Sequence, residues 1–176
     1  MTASNTQSIN SAAAVEMPLI DTRELRNTFG MFATGVTAIT ALGENDQLVG
    51  ITANSFSSLS LDPALILWSL VLTSPSVAAF DEGKYFNVNI LSQRQEGLAM
   101  QLATRSEDKF SGVPYRLSPT GVPLLEDALA TLQCQVEFTR VAGDHLLIVG
   151  RVLDFDRADA GEPLVFYRGG FKQLCD

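Results

Sequence analysis

Two long runs of apolar and polar residues, separated by a very short turn, dominate the C-terminal half of this sequence. The runs cover about residues 130–141 and 145–155, and only Ala142-Gly-Asp144 lies between them. Both runs contain Val and Phe, which favour strands, and a glycine beside an aspartate favours a tight turn. The sequence therefore predicts two long antiparallel strands joined as a hairpin.

Other segments add to this sheet. Shorter β-branched or apolar runs occupy residues 36–41, 47–55, 64–70, 85–91 and 164–167. The first two flank the turn sequence Gly43-Glu-Asn-Asp46 and predict a second hairpin. Six or seven strands that do not alternate with helices favour a mainly β fold, with an antiparallel sheet closed or half-closed into a barrel.

Three short α-helices are predicted from capping signals. Each begins at a residue whose side chain can accept a hydrogen bond from the first turn: Asp21, Ser74 and Ser92. The first helix ends near Gly35, and Leu25, Phe29 and Phe32 lie on its apolar face. The other two are predicted over about residues 76–82, with Gly83 as the stop, and 92–103.

The composition fits one domain with a core of its own. The chain has 176 residues, of which 46% are hydrophobic and 18% are charged. Residues 1–18 are rich in Ser, Asn, Thr and Ala and lack the features of a signal peptide. We interpret them as a disordered N-terminal tail, followed by a cytoplasmic domain over residues 19–176.

Charge and cysteine usage argue against several classes of protein. The net charge is −8 and the Lys and Arg residues are scattered, which argues against a nucleic-acid partner. No apolar run approaches the roughly 20 residues of a membrane span. Cys134 and Cys175 form no CxxC pair, and His145 is the only histidine, so no metal site is expected. Cys134 is predicted to be a buried strand residue.

No common catalytic motif is present. The sequence contains no GxGxxG after a strand, no Walker loop, no GxSxG and no HExxH. The protein is therefore expected either to bind a ligand or to leave the chemistry to a cofactor.

The segment from Gly50 to Pro63 is the most unusual stretch, because small polar residues crowd its centre. One interpretation is a polar edge strand leading into a loop. The other is a rim of small donors around a flat ligand, since small side chains let a large ring approach the backbone.

Six motifs, in this order along the chain, resemble signatures of the flavin reductase family that supplies reduced flavin to two-component monooxygenases. They are Phe32-Ala-Thr-Gly-Val-Thr37; Thr52-Ala-Asn-Ser-Phe56 with Ser58, Ser60 and Leu61-Asp-Pro63; Phe86-Asn-Val-Asn-Ile-Leu91; Asp108-Lys-Phe110; Gly143-Asp-His145; and Pro163-Leu-Val-Phe-Tyr167. The resemblance covers about residues 25–174.

This resemblance implies an antiparallel split β-barrel of the Greek-key, FMN-binding type, assembled as a homodimer with flavin near the dimer interface. It also implies an NAD(P)H-dependent flavin reductase that uses FMN or FAD and serves a monooxygenase component. Two alternatives stay open at this point: a non-catalytic flavin- or heme-binding split-barrel protein, and an enzyme similar to pyridoxamine-phosphate oxidase.

The resemblance also implies a set of binding residues. Thr52, Ala53, Asn54 and Ser55 are expected along the flavin ring and ribityl chain. Residues expected along the other side of the flavin or near its phosphate are Ser69, Leu70, Ser74, Ala103 and Lys109. For Ser74, a predicted helix N-terminus offers independent support, because such ends attract anions.

His145, Tyr167 and Arg168 are expected, by the same resemblance, near the nicotinamide of NADH or NADPH. A second interpretation of His145, as a turn residue bonded within its own hairpin, is equally open. Hydride transfer requires the two rings to be stacked in range of each other, so no catalytic side chain is expected.

Overall fold

A computed structural model of the chain describes residues 19–106 and 108–174. The predicted tail at residues 1–18 and Cys175 lie outside this range. The described strands are β1 Thr34–Gly35, β2 Thr37–Leu42, β3 Leu48–Ala53, β4 Ser57–Leu61, β5 Ala64–Val71, β6 Tyr85–Ile90, β7 Tyr115–Leu117, β8 Pro123–Leu125, β9 Ala130–Ala142, β10 His145–Arg157, β11 Val165–Tyr167 and β12 Gly170–Lys172. The α-helices are α1 Thr22–Phe29 and α2 Glu96–Ala103.

The main sheet is antiparallel and has seven strands in the order β3-β2-β6-β9-β10-β5-β4. The predicted hairpin of β9 and β10 lies within it, and Gly143 takes the positive φ of 62° that the tight turn requires. The mainly β, antiparallel class predicted from the sequence is confirmed.

The two edge strands of this sheet, β3 and β4, are consecutive in the chain and are joined by only three residues, Asn54, Ser55 and Phe56. A flat sheet of seven strands would hold its edges about 29 Å apart. The backbone from Ala53 to Ser57 spans at most about 14 Å. The sheet must therefore roll up, and because no ladder joins β3 to β4, the resulting barrel stays split.

Rolling the sheet brings one face of its strands into a single core. Trp68, Phe80 and Phe86 are fully buried there, and the Trp68 and Phe80 rings meet edge to face at 4.8 Å. Cys134 is buried in the same core, as predicted, and burial raises the pKa of its thiol to about 12.

A second, smaller core lies outside the barrel. It forms where α2 packs against the main sheet and includes Val36, Leu91, Ala99 and Leu102. Helix α2 can approach β3 closely because Gly50 has no side chain, and a Cβ at this position would lie 2.6 Å from Cδ2 of Leu102. The remaining strands form a three-stranded sheet, β1-β11-β12, and the β7–β8 hairpin.

The predicted first helix is shorter than expected, and its apolar side chains are exposed. Asp21 caps it as predicted, accepting from the backbone N–H of Arg23 and Glu24, but α1 ends at Phe29, where the chain turns towards β1. No residue of α1 is buried, and Phe29 and Phe32 are 67% and 78% exposed. The predicted end near Gly35 is wrong, and the apolar face is left without a partner among the described residues.

The predicted middle α-helix is also wrong. The chain forms a single 3₁₀ turn, Val77–Phe80, so the described residues contain two α-helices rather than three. Ser74 stabilises the preceding turn, where its Oγ accepts from the backbone N–H of Ser76 at 3.3 Å. The last predicted helix is confirmed: Ser92 and Gln95 form the capping box, and a 3₁₀ turn, Gln93–Gln95, leads into α2.

Candidate functional site

A cleft of about 950 Å³ lies at the split of the barrel. One wall is β3 with the turn that precedes it, and the opposite wall is the end of β5 with residues 73–79. The end of α2 and the segment after it close a third side. Among the described lining residues, the titratable side chains are Glu44, Arg105 and Lys109, Gln47 carries an amide, and the others are apolar or carry hydroxyl groups.

Five of the predicted binding residues line this cleft, although they come from four separate parts of the sequence. They are Thr52, Leu70, Ser74, Ala103 and Lys109. Thr52 is anchored from behind, since its Oγ1 donates to the backbone carbonyl of Ala99 at 2.6 Å. The other lining residues that carry hydroxyl groups, Thr73, Ser76 and Ser106, were not predicted.

Lys109 lines the cleft, and its ammonium group is hydrogen-bonded to two backbone carbonyls. Its Nζ donates to the carbonyl of Leu102 at 2.7 Å and to that of Gly50 at 3.0 Å. Partial burial lowers the pKa of Lys109 from its ordinary value. An ammonium group has three N–H donors, so one remains for a ligand.

Arg105 is a cleft residue that the sequence analysis missed. Its side chain is exposed at the cleft, and no salt bridge or side-chain hydrogen bond to another described residue holds it. A guanidinium group in this position is suited to an anionic ligand. The available signal was its place just after the predicted helix end at Ala103, beside a residue already expected near a phosphate.

The segment that joins β3 to β4 lies at the end of the cleft wall rather than within it. Ala53, Asn54 and Ser55 do not line the cleft, and Asn54 is exposed. Oγ of Ser55 accepts from the N–H of Ser69 at 3.1 Å and lies 3.2 Å from the Ser69 carbonyl, to which it donates. The Ser55 side chain thus replaces a backbone pair and fastens the segment to β5.

This arrangement leaves backbone donors free. No backbone–backbone hydrogen bond among the described residues involves Asn54, Ser55 or Phe56. Their N–H groups are therefore available to a ligand that extends from the cleft along β3. That these residues and Ser69 contact such a ligand stays a prediction.

His145 lies beside the cleft without lining it. It is the first residue of β10 and pairs with Val71, which lines the cleft at the end of β5. Its Nδ1 lies 2.7 Å from Oδ1 of Asp144, and this hydrogen bond lowers the pKa of the Asp144 carboxyl. The bond within the turn is present, and a nicotinamide contact through the remaining ring nitrogen stays a prediction.

Tyr167 and Arg168 are not brought to the cleft. They lie at the β11–β12 turn of the small sheet, where Arg168 has a φ of 51°. Nε of Arg168 donates to Sδ of Met31 at 3.2 Å, and its guanidinium lies 5.4 Å from the centre of the Tyr167 ring. Within one chain Arg168 thus supports the residues that end α1. The predicted place of Tyr167 and Arg168 at the nicotinamide stays a prediction.

The other surfaces of the described residues give less evidence of a functional site than the cleft does. A second depression, of about 550 Å³, lies between residues 92–95, 127–129 and 158–162 and contains none of the predicted residues. The described residues include no group of three or more His, Cys, Asp or Glu side chains suited to a metal ion. Neither described α-helix is long and apolar enough to cross a membrane.

Comparison with known proteins gives a consistent family. Residues 29–175 match the family described as "Flavin reductase like domain". The reductase subunit of a flavin-dependent monooxygenase from Rhodococcus jostii is 37% identical over 163 residues, which cover 93% of this chain and 83% of that protein. An NADH-dependent FMN reductase from Agrobacterium fabrum is 39% identical over 151 residues, covering 86% and 85% of the two chains.

Solved structures are similar over the same region. The NADH:FAD oxidoreductase of Streptomyces globisporus, solved with NAD and FAD fragments, superposes with a TM-score of 0.82 at 34% identity. The match covers 90% of this chain and 98% of that one.

The Ser55–Ser69 pair generates a prediction about stability. Ser55→Ala removes a hydroxyl that makes two hydrogen bonds and should lower the free energy of unfolding by about 1–2 kcal/mol. Ser55→Thr keeps the hydroxyl and should restore most of this loss. Urea denaturation measures both, with Ser57→Ala as the control, because Oγ of Ser57 bonds only to the neighbouring Ser58 carbonyl. Equal stability of Ser55→Ala and Ser57→Ala would contradict the fastening role.

Proposed function

Because the chain belongs to the flavin reductase family, we propose that it transfers a hydride from NADH or NADPH to FMN or FAD and supplies the reduced flavin to a partner monooxygenase. The observation that carries this proposal is the cleft at the split of the barrel, which combines apolar walls with two cationic side chains in a protein of net charge −8. The relatives named above as an FMN reductase and as a monooxygenase reductase subunit support it.

The cleft fits a phosphorylated flavin in size and in chemistry. A volume of about 950 Å³ is in the range that holds a cofactor of this kind. Ile51, Leu70 and Leu102 offer apolar surface to a flat ring. Arg105 and Lys109 supply positive charge at one place, as a phosphate or pyrophosphate group requires.

Each part of the cleft then has a separate task. Arg105 and the free donor of Lys109 bind the phosphate, and the Ser74 hydroxyl adds a polar contact on the facing wall. The unpaired N–H groups of residues 54–56 donate to the polar edge of the ring. When bound, the flavin supplies the group that accepts a hydride.

The chain itself contributes positioning rather than acid–base chemistry. Hydride transfer needs no proton donor or nucleophile from the protein, and the described lining of the cleft contains one carboxylate, Glu44, and no histidine or cysteine. Aligning two bound rings supplies a large part of the rate enhancement, since it replaces a bimolecular encounter by a fixed geometry.

Of the two nicotinamide nucleotides we favour NADH, because two of the similar proteins are named for it. One of these two is named as an FMN reductase and the other as an FAD oxidoreductase, so both flavins belong to the proposal. We place the protein in the cytoplasm, where thiols stay reduced and the buried Cys134 remains unpaired.

Reductase activity is the direct test. The purified protein should oxidise NADH, followed by its absorbance, at a rate that depends on added FMN or FAD. Without flavin the rate should fall to background. If neither NADH nor NADPH is oxidised with either flavin present, the proposed function is wrong, whatever the fold.

His145 should affect the nicotinamide substrate alone. It lies at the rim beside the β5 wall, where one imidazole hydrogen bond to NADH is worth about 0.5–1.5 kcal/mol. We expect His145→Ala to raise the KM for NADH several-fold and to leave the flavin dissociation constant unchanged. Asp144→Asn tests whether the turn bond orients the ring, and should have a smaller effect of the same kind. A lower flavin affinity with an unchanged KM for NADH would instead assign His145 to the flavin.

We further propose that the chain is a homodimer, as the family resemblance implies. Large apolar side chains are exposed together around α1: Leu19, Ile20, Phe29, Met31 and Phe32 are each more than half exposed. A monomer rarely leaves so much contiguous apolar surface in water, and a surface of this kind is typical of an interface. A second copy of the chain covering α1 would also bury surface next to Arg168, whose backbone N–H donates to the Gly30 carbonyl at the end of this helix.

The assembly can be tested by sedimentation equilibrium. The protein should sediment as a dimer, and the double variant Phe29→Glu/Phe32→Glu should shift it towards monomer, because two buried charges are costly in an apolar interface. Arg23→Glu, on the polar side of the same helix, is the matched control and should stay dimeric. If the parent protein sediments as a monomer, the proposed homodimer is wrong. If the double variant stays dimeric, α1 does not lie in the dimer interface.

A further inference from the structure

Two side chains interlock at the end of α2 that closes the cleft. Nε2 of Gln101 donates to the carbonyls of Lys109 at 2.9 Å and Ser111 at 3.0 Å. In the opposite direction, Nζ of Lys109 donates to the carbonyls of Leu102 and Gly50. The helix thus holds the backbone of Lys109, while the Lys109 side chain holds the helix.

The Lys109 bonds satisfy a carbonyl that the end of α2 leaves without a partner. The last carbonyls of an α-helix lack partners within the helix. Thr104 satisfies those of Met100 and Gln101 through its backbone N–H. The Leu102 carbonyl instead accepts from the Lys109 ammonium, which also reaches across to Gly50 on β3. The ammonium is therefore fixed between helix and sheet, at the floor of the cleft.

Gln101 bonds to the segment of Lys109 from outside the cleft. It does not line the cleft, whereas Leu102, Ala103 and Lys109 do. Both of its amide N–H donors are used on carbonyls of the segment that carries Lys109. An apolar side chain here would release that segment, and the long, flexible Lys109 side chain would lose its fixed geometry.

We propose that Gln101 is a positioning residue for the phosphate end of the cleft, acting through Lys109, and that this lock makes the protein prefer phosphorylated flavins over riboflavin. The inference rests on the proposed function, since it takes flavin as the ligand of the cleft. It adds a residue that does not belong to the cleft lining, and it gives Lys109 a double task as brace and as anion ligand.

The experiment compares FMN with riboflavin, which has the same ring but no phosphate. Both are titrated by the quenching of flavin fluorescence in the parent protein and in Gln101→Met, a near-isosteric change without N–H donors. We expect the dissociation constant of FMN to rise about tenfold, as for the loss of one good charge-assisted contact. That of riboflavin should change less than twofold. Met100→Leu, an exposed neighbour on the same helix, is the control and should change neither value.

A double-mutant cycle identifies the route of the effect. If Gln101 acts through Lys109, then adding Gln101→Met to a Lys109→Met protein should weaken FMN no further. Independent, additive effects of the two substitutions would overturn the proposal. Circular dichroism and thermal unfolding check each variant, and Gln101→Ala replaces Gln101→Met if the latter does not fold.

Two other results would also overturn the inference. If Gln101→Met weakened the binding of FMN and of riboflavin equally, Gln101 would have a structural role only. A parent protein that binds riboflavin as tightly as FMN would show that no phosphate preference exists. Both are binding results, so they are distinguishable from failure of the proposed function, which would appear as a lack of flavin-dependent NADH oxidation.

Discussion

The short connection between β3 and β4 is the constraint on which the rest of the structure depends. Three residues must join the two edges of a seven-stranded sheet, and they can do so only if the sheet rolls up. Rolling creates the aromatic core around Trp68 and leaves a gap between β3 and β5. The cleft that we propose as the flavin site occupies this gap. One covalent restriction therefore produces both the barrel and its binding site.

At this gap, where the hydrogen bonds between neighbouring strands end, polar side chains bond to the backbone groups instead. Ser55 substitutes for a backbone pair opposite Ser69, and Lys109 satisfies the open carbonyls of Leu102 and Gly50. Asn89 does the same on the outer face of the sheet, where its amide bonds to the Ala38 carbonyl and the N–H of Leu125 and so holds the β7–β8 hairpin. Buried backbone groups without partners are costly, so these polar side chains are structural as well as functional.

Local patterns predicted seven of the twelve described strands, and they predicted the short strands and the helices less well. The β9–β10 hairpin and the β2–β3 hairpin follow from alternation and turn residues, which act between near neighbours. The prediction of a middle helix was wrong. Ser74 and Gly83 are residues typical of a helix start and stop, but the burial of Ala79 and Phe80 in the core set the conformation between them. The apolar face of α1 was predicted correctly as a pattern. Its packing partner could not be predicted, because periodicity shows that a face is apolar but not what covers it.

The sequence by itself determined the family, the antiparallel class, the order along the chain of seven of the described strands and five of the residues that line the cleft. Each of these depends on residue types at short separations or on motifs in a fixed order. Only the tertiary structure decided that Arg105 faces the cleft and that Ser55 bonds to Ser69. It also decided that Gln101 bonds to the Lys109 carbonyl while the Lys109 ammonium bonds to the Leu102 carbonyl. The bonds from Ser55 to Ser69 and from Lys109 to Gly50 join segments that meet only after the sheet has rolled up. Those between α2 and the segment of Lys109 are closer in sequence, but they form in an irregular stretch that has no periodic pattern.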